Sequence, residues 1–127
     1  MSEEVKTLFI LLFVYQLKHF FADYIFQYNY MLKKIRPGWD FVAPLSLHCA
    51  VHGGMTLLVC LFFRPSMWWL GLLDFAIHFL TDRLRSGPLY LGRYTDINDS
   101  IFWWILGFDQ MVHHLTHLLI IAILLYS

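Results

Sequence analysis

The chain has 127 residues, of which 59% are hydrophobic, 19% aromatic and only 14% charged, with nine basic and nine acidic side chains. Soluble domains are about 45–50% apolar and about 25% charged, so this composition argues against an ordinary soluble domain. The mean hydropathy of +0.58 points instead to one membrane-embedded domain, and twelve Phe, seven Tyr and five Trp suit anchoring at two membrane interfaces. Zero net charge and the lack of a basic stripe exclude a nucleic-acid footprint.

The apolar pattern predicts four spans. The first covers about 5–29; its opening resembles the apolar region of a signal peptide, but no small-residue cleavage site follows, so it reads as a retained span. A basic turn with Lys33, Lys34, Arg36, Pro37 and Gly38 follows it. The second covers about 40–63, with Pro44 tolerable in the first turn and Arg64-Pro65 as its stop. The third covers about 66–85, opens on Trp68-Trp69 at an interface and is broken by Ser86-Gly87-Pro88. The loop from Ser86 to Asn98 is the longest connection, of a kind that can lie on a membrane or cover a site. The fourth covers about 99–126, with Asp99-Ser100 as an N-cap pair. Each span is about 20–28 residues, enough for a hydrocarbon core of about 30 Å. The expected fold class is therefore all-α: an antiparallel bundle of four transmembrane helices with a polar His/Asp core, one domain over 1–127.

Basic residues set an orientation. Lys33, Lys34, Arg36, Arg83, Arg85 and Arg93 follow the first and third spans, whereas Lys6 and Arg64 lie at the other side. The positive-inside rule then places the first and third connections in the cytoplasm and both termini outside, in a bacterial inner membrane. Lys18 lies within a span and either snorkels or pairs with an acid. Cys49 and Cys60 fall in one helix about 16 Å apart along its axis, too far for a disulfide. They read as small buried hydrophobes, with Cys49 as a ligand beside His48 the minority alternative.

The polar residues inside these spans repeat every four positions. His19, Asp23 and Gln27 share one helix face, as do His48 with His52, Asp74 with His78 and Asp82, and Asp109 with His113 and His117. Polar groups at membrane depth are costly and face a bundle interior or wet cavity. Counted from the basic side, most of them fall in one band, roughly 10–20 Å from the helix ends at about 1.5 Å per residue. Four faces converging there would form a buried metal or proton site.

Imidazoles and carboxylates from separate helices, with neighbours orienting the imidazoles, are what a divalent transition metal requires. His19, His48, His52, Asp74, His78, Asp82, His113 and His117 are the candidate metal ligands. Asp23 and Asp109 are the candidate catalytic bases, and Gln27, Gln110 and His114 the candidate supporting groups. Lys34, Arg85 and Arg93 could hold an anionic head group, although charges that merely set topology are the simpler explanation. There are more donors than one four-coordinate zinc uses, so the expectation is one or two ions, zinc foremost and iron or manganese as alternatives. Gly53-Gly54 is read as a close helix contact or kink. Bis-histidine haem fits less well because of the aspartates, and a di-iron desaturase set lacks a third full histidine box.

His19-x-x-x-Asp23-x-x-x-Gln27 followed by Lys33/Lys34 resembles the opening of the bacterial and phage membrane-protein family catalogued as domain of unknown function 3307. His48-x-x-x-His52, His78-x-x-x-Asp82 and Asp109-Gln110-x-x-His113 resemble its further motifs, and the likeness covers nearly the whole chain. Where that pattern tends to place a lysine after the third-span aspartate, this chain has Arg85. The resemblance implies a small polytopic membrane protein of bacterial or phage type. In chemistry, though not in aligned sequence, the set also looks like that of intramembrane metallohydrolases such as the alkaline ceramidases.

The expected function is an intramembrane metal-dependent hydrolase acting on a lipid or lipid-linked substrate. The alternatives are an ion-, proton- or small-molecule-translocating protein, or a non-catalytic membrane partner. The expected partners are the lipid bilayer and that substrate, with no nucleic acid and a possible homo-oligomer.

Overall fold

The computed structural model describes residues 1–127 and is all-helical. Helix α1 spans Glu3–Phe20. Ser2 caps it by accepting from the Val5 N–H at 3.3 Å, and Glu3 and Glu4 sit in the positive first turn. The chain then widens into one π-helical turn, Phe21–Ile25, closed by the Phe26 N–H on the Phe21 carbonyl at 2.7 Å. Regular helix therefore stops short of position 29, and Gln27 lies beyond it. A 3-10 segment over Asn29–Ile35 occupies the expected basic turn.

Helix α2, Val42–Phe63, ends where Pro65 disfavours a helical Arg64. Helix α3 spans Leu70–Ser86 and is preceded by a 3-10 turn at Pro65–Met67. Helix α4 spans Ser100–Tyr126, with Asp99 accepting from the Ile101 N–H at 3.1 Å. Three helical stretches are long and apolar enough to cross a membrane: Glu3–Ile25, Val42–Phe63 and Ser100–Tyr126. They are compatible with an integral membrane protein. Helix α3 is not among them: its 17 residues give about 25 Å, and they include Asp74, Asp82, Arg83 and Arg85.

Several charged side chains lie inside and many large apolar ones outside. Lys18, Asp74, Asp82 and Asp109 are all buried, whereas Phe13, Leu58, Phe62, Leu80 and Trp104 are exposed. The α2–α3 contact is close because glycine faces glycine. A Cβ on Gly53 would lie 2.7 Å from the Gly71 carbonyl oxygen, and one on Gly71 would lie 2.9 Å from that of Gly53. Gly54 faces open space, so only the first of the pair serves the contact. Leu11, Tyr15, Cys60, Leu70, Ile120, Ile121 and Leu124 form the main apolar core, at the end of the interior that holds both termini. Cys49 packs with Phe41 and Leu45 in a second apolar cluster, and both cysteines are free. Polar side chains fill the remainder of the interior.

A candidate metal centre in the helical interior

The interior polar groups form two lobes that share His52. In the outer lobe, Asp23 comes from the π-helical turn, His48 and His52 from α2, Asp82 from α3, and Asp109 and His113 from α4. The Asp82 carboxylate lies between two imidazoles: Oδ2 is 3.1 Å from His48 Nε2, and Oδ1 is 3.2 Å from His113 Nε2. Asp23 Oδ1 is 3.5 Å from His48 Nε2 and 2.8 Å from His52 Nε2. Asp109 Oδ1 is 3.9 Å from His113 Nε2. Three sets of candidate ligand atoms result: Asp23/His48/His52, Asp82/Asp109/His113 and, with His19 added, His19/Asp23/His113.

These separations admit a metal. Bonds of about 2.0–2.2 Å at tetrahedral angles place neighbouring ligand atoms about 3.3–3.6 Å apart, so the 3.1–3.5 Å spacings of Asp82 and Asp23 about His48 need little adjustment. His113 adds a second sign. Its Nδ1 and Asp109 Oδ1 are buried without a hydrogen-bond partner, and its Nε2 faces only the carboxylates of Asp82 and Asp109, an arrangement that native interiors rarely leave uncompensated. Charge gives a third: with the imidazoles neutral, four interior carboxylates, Asp23, Asp74, Asp82 and Asp109, face three basic groups, Lys18, Lys34 and Arg85. A surplus buried carboxylate is expensive unless a cation pairs with it.

A polar cavity of about 230 Å³ opens on the outer lobe, lined by Asp23, His48, Asp82, Asp109 and His113 together with Tyr24, Gln27, Lys34, Arg85, Leu106 and Gln110. At its rim Lys34 Nζ donates to Asp82 Oδ2 at 3.2 Å and to Gln27 Oε1 at 3.1 Å, and Gln27 donates back to the Asp23 carbonyl at 3.1 Å. Gln27 thus reaches the site although it is off the helix. Arg85 Nε stands 3.6 Å from Asp109 Oδ2, and Gln110 donates to that oxygen at 3.2 Å. His19 lies beside this lobe: Nε2 is 2.8 Å from Gln110 Oε1 and 3.3 Å from Asp23 Oδ2. His114, half-buried, faces the His19 ring at 5.1 Å between centroids. Arg93 is not brought in; it is exposed and donates to the Tyr94 hydroxyl at 3.0 Å.

The deep lobe contains Asp74, His78 and His117, and also Lys18. Lys18 does not snorkel. It turns inward and donates to Asp74 Oδ2 at 2.7 Å. The Thr56 hydroxyl also donates to Asp74, so its oxygen accepts from Tyr15, with the two oxygens 3.1 Å apart. His78 Nδ1 is 3.0 Å from the Asp74 carbonyl oxygen and 2.7 Å from Asp74 Oδ1. The His78 ring stacks between those of His52 and His113, at centroid distances of 3.9 and 4.3 Å. Tyr15 and Thr56 went unnoticed in the sequence because a hydroxyl in an apolar helix carries no stripe. The one available signal was Tyr15 standing three residues before Lys18, on the same face.

The family described as "Protein of unknown function (DUF3307)" matches residues 8–127. No curated protein and no solved structure matches the chain.

Proposed function

We propose that this chain, which belongs to the DUF3307 family of proteins of unknown function, is an intramembrane metal-dependent hydrolase of a lipid or lipid-linked substrate. The observation that carries the reading is the buried outer lobe, where two imidazoles and a carboxylate between them stand at ligand-like separations beside a polar cavity. In this reading α3 is the fourth span of a four-helix transmembrane domain. Leu72 and Leu80 on its exposed face support that, as do Trp68 and Trp69 just before it. The basic connections face the cytoplasm and both termini the opposite side of a bacterial inner membrane.

A divalent ion, zinc foremost, would be held by His48 and Asp23 from one set of ligand atoms together with Asp82 and His113 from another. Such an ion supplies Lewis acidity and makes hydroxide available near neutral pH. Asp109 would accept the proton: one oxygen is held by Gln110 and Arg85, and the other, Oδ1, has no partner. His19 would position Asp23 and Gln110. Lys34 and Arg85 line the cavity and suit an anionic head group. A second cavity of about 270 Å³, walled by Ile35, Pro88, Leu91, Phe102 and Ile105, shares Arg85 and Leu106 with the polar one. An amphiphile could place its head in the polar cavity and the start of its tail in the other. Translocation has less support, because the polar path ends at the core of Leu11, Cys60, Leu70 and Ile120.

The test is turnover in mixed micelles containing a bacterial phospholipid extract, with products followed by mass spectrometry. Zinc-loaded protein should release fragments that have gained the elements of water, and EDTA should abolish the reaction. Asp109→Asn should slow it by about 10²–10⁴-fold, the usual contribution of a general base. Metal-independent turnover, or no cleavage of any lipid in the extract, contradicts the reading.

A further inference from the structure

The deep lobe contains an apparent metal set, Asp74, His78 and His117, yet a positive charge already stands in it. The side chain of Lys18, 3% exposed, reaches from α1 to where the other three helices meet. Its Nζ lies 2.7 Å from Asp74 Oδ2 on α3, 3.5 Å from His52 Nδ1 on α2 and 3.5 Å from His117 Nε2 on α4. One carboxylate and two imidazoles from three helices around a point is the protein's share of an open zinc site. Here an ammonium occupies that point.

We infer that Lys18 is the built-in cation of the deep lobe: it excludes a divalent metal there and fixes His52 as a positioning residue for Asp23. The second half follows from proton bookkeeping. An ammonium has donors only, so the ring nitrogens facing it must accept. With Nδ1 accepting from Lys18, a neutral His52 carries its proton on Nε2 and donates it to Asp23 Oδ1 at 2.8 Å. That nitrogen then has no lone pair for a metal, and His52 aims Asp23 at the outer lobe instead, as orienting partners of metal ligands do. His117 accepts through Nε2 in the same way, leaving a proton on Nδ1. One chain therefore takes metal in the outer lobe alone.

The inference is independent of hydrolysis, since it concerns which lobe takes metal. Detergent-purified protein is stripped with chelator, reloaded with Zn²⁺ and dialysed, and the zinc per chain is measured. Lys18→Met should bind one more zinc than the unmodified chain, and the extra ion should be lost again in Lys18→Met combined with His117→Gln. In the unmodified background His117→Gln should leave zinc content unchanged. Equal zinc in folded Lys18→Met and the unmodified chain overturns the inference. If Lys18→Met does not fold, loss of an ion from His117→Gln alone overturns it and unchanged content upholds it. In ¹⁵N-histidine spectra, His52 should be protonated at Nε2 in the unmodified chain, and protonation at Nδ1 overturns the positioning role. An unmodified chain without zinc whose Lys18→Met variant gains one would sink the hydrolase reading and leave this one standing.

Discussion

At the residue scale, many of the polar pairs in the interior join different helices. Thr56 is the clearest example: its hydrogen goes to Asp74, so only a donor can satisfy its oxygen, and Tyr15 is that donor. Tyr15→Phe should therefore leave a buried acceptor unfilled and cost about 1–3 kcal/mol. A thermal transition in detergent should fall accordingly, while zinc content stays constant. An unshifted transition would mean that this hydroxyl has no structural part. The side chains of the stripes were legible in the sequence because water-seeking groups in apolar helices have few places to go. Asp23, His48, Asp82, Asp109 and His113 do converge. How Lys18 would be used was not legible. Snorkelling and pairing are both open to a lysine in a span, and only the position of Asp74 on a different helix decides between them.

At the element scale, the limits of α2 and α4 follow from punctuation in the chain: Arg64-Pro65 stops one, and Asp99 caps the other. The π-helical turn at Phe21–Ile25 has no such signature, since nothing in that apolar stretch forbids an ordinary helix. A four-residue repeat assumes ordinary helix, so it extends the face to Gln27, two residues past the helix end at Ile25, although hydrogen bonding brings that side chain back. Such turns recur at functional sites, and here the turn supplies Asp23. The glycine pair allows a sharper test. Gly53→Ala should push α2 off α3 and cost about 1–3 kcal/mol, the usual penalty for overpacking. Gly54→Ala meets nothing within 4 Å and should be neutral or stabilise by up to about 1 kcal/mol through helix propensity. Equal effects of the two substitutions would refute the close contact as the reason for glycine.

At the scale of the whole molecule, large apolar side chains lie exposed while Lys18, Lys34, Asp74, Asp82 and Asp109 are buried, an uncommon place for charge in a water-soluble domain. Composition announced that much. What it could not announce was the division of the interior into a lobe closed by its own lysine and a lobe with carboxylate to spare beside a cavity. The account rests on the second lobe taking the metal. Zinc K-edge X-ray absorption of detergent-purified, zinc-reconstituted protein addresses that directly. It should show nearest neighbours of nitrogen and oxygen only, with two imidazoles, from His48 and His113, and one imidazole fewer in His113→Ala. Sulfur at about 2.3 Å, an imidazole count untouched by His113→Ala, or no retained zinc at all would contradict it.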